Sequence, residues 1–225
     1  MKTYGIIAAL DGELSSLLEL MDGAETRELL GHTYYIGRIG GSRVVATVSG
    51  VGKVNAAVTC MSLIGAFQPD FVLNIGLGGA LDDALRLGDI TVADTVTYHD
   101  ICPGDILDNY YPEGGRFHAD RDLNRRITEA CARLGEPCRL CTVATGDQFI
   151  ESTERKNAIR AATGAACCEM EGGAIAQVCV MHGVPFSVIR MISDSADEAA
   201  DDSFDRFLKT SVKTYNQIVK MLCEA

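Results

Sequence analysis

Three carboxylates in this chain stand where strand-like runs give way to helices or turns. Glu13 follows the run Thr3 to Ala9 by a few residues, Glu171 opens a helical pattern after Cys167-Cys168, and Asp194 closes an apolar strand that begins near Phe186. Each has an ordinary explanation when taken alone. Glu13 and Glu171 suit the first turn of a helix, where the dipole favours acids, and Asp194 suits a turn or cap. Together, beside an apolar strand and glycine-rich segments, they read as a paired-acid site. If the strands are parallel neighbours, all three boundaries fall on one edge of the sheet. Paired acids serve reactions in which a leaving group is protonated while water is activated; glycoside hydrolysis through an oxocarbenium-like transition state is the clearest case. One acid must then hold its proton near neutrality, which requires an apolar or acid-rich surround. Asp194, after Ser187-Val188-Ile189-Arg190-Met191-Ile192, is the better candidate for that acid, with Glu13 as the base.

The elements that position these residues alternate between strand and helix. Buried or alternating patterns predict strands at 3–9, 32–39, 43–48, 71–75, 89–98, 139–145 and 186–192. Helical periodicity covers 12–21, 53–67, 120–134, 153–162, 170–182 and 202–223, with Pro69, Gly183 and Pro185 as stops. Gly40-Gly41 joins two of the strands as a hairpin, and residues 100–118, with two Pro and three Gly, read as one long irregular loop. The pattern predicts an α/β protein: a single three-layer α/β/α domain over residues 1–225, with a central mixed sheet and helices on both faces.

Composition narrows the function. The chain has 225 residues, 47% of them hydrophobic, enough for one sizeable core. A net charge of −11 argues against nucleic acid or an anionic membrane surface as partner. No apolar run is long enough to span a bilayer and no secretion signal is present, so the reading is cytoplasmic. The nine Cys then read as reduced thiols used as small hydrophobes. Cys138-Arg139-Leu140-Cys141 has the spacing of a redox or zinc motif, but lacks a second pair or nearby His and sits in a strand-like run.

Two glycine-rich segments imitate nucleotide-binding loops and fail on detail. Ser49-Gly50-Val51-Gly52-Lys53-Val54 has Thr47 where a phosphate loop needs Gly and Val54 where it needs a hydroxyl. Gly76-Leu77-Gly78-Gly79 follows a strand, but Asp82-Asp83 stands where a dinucleotide-binding helix would start. Tight turns, or close approach of backbone to a small flat ligand at the strand ends of an open sheet, both account for them.

Several segments together carry a family resemblance: Gly5-Ile6-Ile7-Ala8-Ala9 with Glu13, residues 49–57, Tyr98-His99-Asp100, residues 145–150, Glu169-Met170-Glu171, residues 190–194 and Ser203-Phe204-Asp205. Nearly end to end, the chain resembles the 5′-methylthioadenosine/S-adenosylhomocysteine nucleosidases of the purine nucleoside phosphorylase superfamily. The resemblance implies that Asp194, helped by Ser193, protonates purine N7, and that Glu13 activates water with Arg190 nearby. It implies that Glu171 holds the ribose hydroxyls, Met170 packs against the sugar, Phe149 stacks on adenine and the Ile150 backbone reads its edge. Val51 and Phe204 would line the cavity for the 5′ substituent, and Gly79 would belong to the substrate-binding set. Glu169 reads as a strand-end surface acid. The resemblance further implies a homodimer whose partner chain completes the pocket, and a reaction that needs no metal or organic cofactor. Two departures bear on the exact nucleoside: Leu77 where the family usually has a small hydroxyl residue, and an altered loop at 101–115. The competing readings are a phosphate-dependent nucleoside phosphorylase, which Asp11 and Glu13 would oppose by repelling phosphate, a futalosine-type hydrolase, and a purine-nucleoside binding protein without activity.

Overall fold

The computed structural model describes residues 1–102, 104–136, 138–197 and 204–224, the side chains of 16 and 204–212 excepted. The chain runs β1 (Thr3–Ala8), α1 (Asp11–Leu18), β2 (Asp22–Leu29), β3 (His32–Ile39), β4 (Ser42–Val48), α2 (Lys53–Phe67), β5 (Phe71–Ala80) and β6 (Ile90–Tyr98). It continues with α3 (Asp105–Tyr110), a 3-10 turn at Pro112–Gly115, β7 (Arg116–His118), α4 (Arg121–Leu134), β8 (Cys138–Thr145), α5 (Thr153–Thr163), β9 (Cys167–Glu169), α6 (Gly172–His182), β10 (Phe186–Asp194) and α7 (Phe204–Glu224). Local chemistry sets several boundaries. Asp120 caps α4 by accepting from the Leu123 N–H at 2.7 Å, and Ser152 caps α5 by accepting from the Arg155 N–H at 3.3 Å. Gly135, Gly164 and Gly183 end their helices in the left-handed conformation.

The strands form one mixed sheet in the order β10-β6-β8-β9-β5-β1-β4-β3-β2, with β7 beside β6. β10 also pairs with β5, in parallel, so the expected open sheet is in fact half closed: β5, β10, β6, β8 and β9 make a ring from which β1, β4, β3 and β2 extend. β1, β5 and β10 are parallel neighbours, which sets Glu13 and Asp194 on one edge; β9, which leads to Glu171, runs antiparallel to β5, so the all-parallel condition of the one-edge reading fails for that acid. Alternate residues of these strands face opposite layers. Ile7, Val72, Phe186 and Val188 pack with Ala56, Leu63 and Ile175 of α2 and α6, while Tyr4, Ile6, Leu73, Ile189 and Met191 pack with Leu14, Leu17, Ile127, Tyr215 and Ile218 of α1, α4 and α7.

Four details differ from the sequence reading. β2 was not foreseen, because almost every residue of this polar strand is exposed and no buried face marks it. β9 has only three residues, too few for a periodicity. Residues 105–118 hold α3, the 3-10 turn and β7 rather than one irregular loop. Gly76, Gly78 and Gly79 lie inside β5, not in a turn, and what comes close to them is protein. A Cβ on Gly76 would sit 2.9 Å from Glu13 Oε1, and one on Gly79 would sit 2.8 Å from Asp194 Oδ1.

Gly78 marks the junction of the ring. A Cβ there would lie 2.7 Å from Cys167 Sγ and 3.0 Å from the Cys168 carbonyl oxygen, so β5 and β9 would have to part. Gly78→Ala is therefore expected to cost about 1–3 kcal/mol of stability. A thermal melt checks this; an unchanged Tm would mean that the junction yields freely.

Candidate active site

A cavity of about 390 Å³ opens beyond the carboxyl ends of β1, β5 and β10, within the range of small-molecule sites. Its wall includes Glu13, Val51, Gly79, Phe149, Ile150, Met170, Glu171, Ser193 and Asp194, nine of the eleven residues singled out from the sequence. Arg190 stands behind the wall. Phe204 opens α7, but its side chain lies outside the described residues.

Glu13 is a first-turn acid that also lines the cavity. It sits in the first turn of α1, its own N–H donating to the Leu10 carbonyl at 3.0 Å. Its carboxylate also turns into the cavity. Oε2 accepts from the N–H groups of Ala9 (2.9 Å) and Leu10 (3.0 Å), and Oε1 accepts from that of Leu77 (3.1 Å). Burial raises its pKa above the ordinary carboxylate value, although these donors and the charge of Arg190 pull the other way.

Glu169 is not a surface acid. Its side chain is 1% exposed and forms an ion pair with Arg190. It accepts hydrogen bonds from the Thr145 hydroxyl, from the Glu171 N–H at 2.9 Å and from the Gly172 N–H at 2.6 Å. A strand only three residues long hides this burial from any sequence pattern. The available signal was the Glu-Met-Glu spacing itself, with two acids flanking Met170 just before a helix.

Arg190 is almost fully buried. Its guanidinium donates to Glu169 and to Asn74 Oδ1, with further donation to the carbonyls of Ile189 (3.0 Å) and Asn74 (3.3 Å). Burial opposes its charge, but Glu169 and Glu171 outweigh burial and hold its pKa above the usual arginine value. It reaches Glu171 at 4.0 Å and does not line the cavity, so it supports the acids rather than facing a ligand.

Glu171 does face the cavity. Oε1 accepts from the Gly52 N–H at 2.8 Å. Burial, then the negative charge of Glu169, pushes its pKa up to about 7, against the pull of Arg190 and the Gly52 N–H. The role of Gly52 could not be read from side chains, because a backbone N–H makes the contact.

Asp194 has a more polar surround than its apolar strand suggested. Oδ2 accepts from the Ser193 hydroxyl at 2.7 Å and Oδ1 from the Ala196 N–H at 2.9 Å. Cys168, unforeseen from the sequence, joins the wall beside it; its thiol donates to the Gly79 carbonyl at 3.6 Å, and burial first, then Asp194, pushes its pKa up to about 12. Phe149 is 45% exposed at the rim, while Ile150 is buried below it. Among the described residues no group of three or more His, Cys, Asp or Glu is arranged to hold a metal ion, and no helix is long and apolar enough to cross a membrane.

The site therefore presents two buried acids beyond the carboxyl ends of two parallel strands, a third acid poised near neutrality, and an aromatic ring at the mouth. Known proteins share this fold. The model of the phosphorylase superfamily matches residues 3–224. The 5′-methylthioadenosine/S-adenosylhomocysteine nucleosidase of Geobacillus kaustophilus is 37% identical over 222 residues, 95% of this chain and 93% of that protein. The solved structure of the nucleosidase from Neisseria meningitidis in complex with methylthio-immucillin-A superposes with a TM-score of 0.93 at 34% identity, over 100% of this chain and 99% of that one. Native futalosine hydrolase of Helicobacter pylori strain 26695 superposes with a TM-score of 0.92 at 33% identity, over 100% and 98%. With likeness of this extent around an acid-lined cavity, the chain belongs to the 5′-methylthioadenosine/S-adenosylhomocysteine nucleosidase family of the phosphorylase superfamily.

Proposed function

We propose that residues 1–225 act as one cytoplasmic nucleosidase domain. It hydrolyses the N-glycosidic bond of adenine nucleosides such as 5′-methylthioadenosine and S-adenosylhomocysteine to adenine and the 5-substituted ribose. The observation that carries this reading is the convergence of Glu13, Glu171 and Asp194 on one cavity whose described wall has no Lys, Arg or His. A phosphorylase must hold phosphate, which favours cationic donors. Here the Arg190 guanidinium, behind the wall, is already bound to Glu169 and Asn74. A protein that only bound nucleosides would gain nothing from burying an acid and a base on either side of its ligand.

In the proposed reaction, water attacks C1′ and gives its proton to the Glu13 carboxylate. The C1′–N9 bond breaks, and its electron pair flows into the purine. N7 grows more basic as that charge arrives, and takes a proton from Asp194, whose carboxyl is oriented by Ser193 and Ala196. Glu171, ionised, accepts hydrogen bonds from the ribose hydroxyls and favours the positive charge that develops on the sugar. Met170 packs on the ribose, Phe149 stacks on adenine, the Ile150 backbone reads its edge, and Val51, with Gly79 and Phe204, completes the substrate contacts.

A futalosine-type substrate is the second reading. It is supported by the equally close fit to the Helicobacter pylori futalosine hydrolase and by Leu77 in the cavity wall. We also propose a homodimer with the partner chain completing the pocket. In support, exposed Val58, Met61 and Met181 of α2 and α6, with Leu30, line an apolar groove. A soluble monomer by light scattering would refute the dimer.

Adenine release from methylthioadenosine, S-adenosylhomocysteine, 5′-deoxyadenosine, adenosine and inosine, with and without phosphate, tests the reading. Release should be independent of phosphate; ribose-1-phosphate among the products would make the protein a phosphorylase. Asp194→Asn is expected to bind nucleoside but to lose about 10²–10⁴ in kcat. Wild-type turnover in that variant would remove Asp194 as the acid.

Glu171 gives a test of the opposite sign. Its pKa rises from 4.5 unfolded to about 7 folded, so its contribution to stability is fully present below pH 4.5 and is lost as pH rises through 7. Gln cannot ionise, yet keeps an oxygen for the Gly52 N–H. Glu171→Gln should therefore melt higher than wild type at about pH 8, with the gain shrinking toward about pH 5, while KM rises sharply. A lower Tm at the alkaline pH would mean that the ionised carboxylate is well paired in the fold.

A further inference from the structure

The loops that carry the cavity's rim come from different parts of the chain. Residues 49–52, between β4 and α2, bring Val51 to the wall and the Gly52 N–H to Glu171. Residues 146–152, between β8 and α5, bring Phe149 and Ile150. Neither loop has a core of its own, and both Val51 and Phe149 are nearly half exposed. Something else must hold them in register.

A charged cluster behind the rim does so. Lys53 Nζ donates to both oxygens of Asp100, at 2.7 and 2.6 Å. Asp100 Oδ2 also accepts from the Asp147 N–H at 2.9 Å, and Asp147 Oδ1 accepts from the Lys53 N–H at 2.8 Å, capping the start of α2. The circuit thus ties the first residue of α2 to the end of β6 and to the loop after β8. Its closeness is built in: Gly52, at φ +97°, has Asp147 Oδ1 3.0 Å from where a Cβ would be, so only glycine fits there without strain. Ordinary surface ion pairs contribute little. Here the Lys53 and Asp100 side chains are only 19% and 11% exposed, and Lys53 Nζ also lies 5.3 Å from the centre of the Tyr98 ring. Burial works against the charge on Asp100, yet the Lys53 and Asp147 donors hold its pKa below the ordinary value.

We propose that Lys53, Asp100 and Asp147 form a latch. It locks the sugar-side loop to the base-side loop and, through the Gly52 N–H, aims the Glu171 carboxylate at the ribose. These are positioning residues, since none of the three lines the cavity. The assignment of Glu171 to the ribose rests on the nucleosidase reading; the latch itself does not.

Two measurements on Asp100→Asn and Lys53→Met separate these layers. The first is amide hydrogen exchange, which needs no substrate. The latch predicts faster exchange in both 49–53 and 146–150 in both variants, with exchange in the strands of the sheet unchanged. Wild-type exchange in either loop overturns the latch, whatever the protein's activity. The second is kinetics on methylthioadenosine. The latch predicts KM raised roughly tenfold with kcat within about twofold of wild type, as expected for loss of a charge-assisted contact that organises binding. Lys53→Arg should return KM most of the way. Loosened loops with an unchanged KM would overturn the link to Glu171. Wild-type protein that releases no adenine would sink the nucleosidase reading and leave the exchange result to decide the latch.

Discussion

The ion pair between Arg190 and Glu169 is the constraint on which the rest of the site depends. Both groups are out of water, which costs several kcal/mol per ion unless each is fully engaged. Both are engaged. Arg190 bonds to Asn74 of β5 as well as to Glu169, and Asn74 in turn donates to the Ile7 carbonyl of β1 at 3.0 Å. Glu169 takes the Thr145 hydroxyl of β8 and the N–H groups that lead into α6. One buried pair therefore ties together β1, β5, β8, β9, β10 and the start of α6. Such a pair is a weak source of net stability compared with apolar side chains of the same shape. What it supplies is a single allowed arrangement, because any slip in register leaves a charge unpaired.

That arrangement decides the charge states around it. Three carboxylates, Glu13, Glu169 and Glu171, crowd one arginine, and the arginine is committed to Glu169, whose side chain is almost wholly buried in the cavity wall. Glu169 takes most of the cation, and Glu171, buried beside it, is left near neutrality. Glu13 is stabilised differently, by three backbone donors that no side-chain substitution elsewhere would remove. Fixed dipoles of this kind need no reorganisation during a reaction, which suits the role proposed for Glu13. Glycines in β5 complete the arrangement by letting Glu13 and Asp194 lie against the strand itself.

Much of this was legible in the sequence, for identifiable reasons. The α2 boundaries, the hairpin at Gly40-Gly41 and the buried strands follow from periodicity and breakers, which are local signals. The acids at strand ends were legible because charge is conspicuous against apolar runs, and nine of the eleven selected residues do line the cavity. What escaped were long-range pairings. The burial of Glu169 depends on Arg190, 21 residues later, and on Thr145, 24 residues earlier. The closure of β10 on β5 depends on two strands more than a hundred residues apart. The exposed strand β2 offers no buried face to detect. Arg190 was correctly drawn to the site, but its place behind the wall is a matter of packing that its residue type does not specify.

The same division explains why the chemistry is easier to read than the substrate. Glu13 and Asp194 stand at the ends of the parallel strands that flank β5, and Glu171 follows the antiparallel β9; the sheet and the Arg190 pair set all three positions. The groups that would meet the base and the 5′ end come mainly from loops, Val51 from one and Phe149 with Ile150 from another. Loops can be re-shaped without disturbing the sheet, so specificity can drift while the acid geometry stays fixed. The similarity to known structures has this form. A methylthioadenosine nucleosidase and a futalosine hydrolase superpose on this chain equally well, over its whole length. A sheet held in common leaves the loops at the rim as the place where such chains can differ. The question of which nucleoside this protein takes is therefore a question about its rim, and there Leu77, whose N–H donates to Glu13, adds an apolar side chain to the cavity wall.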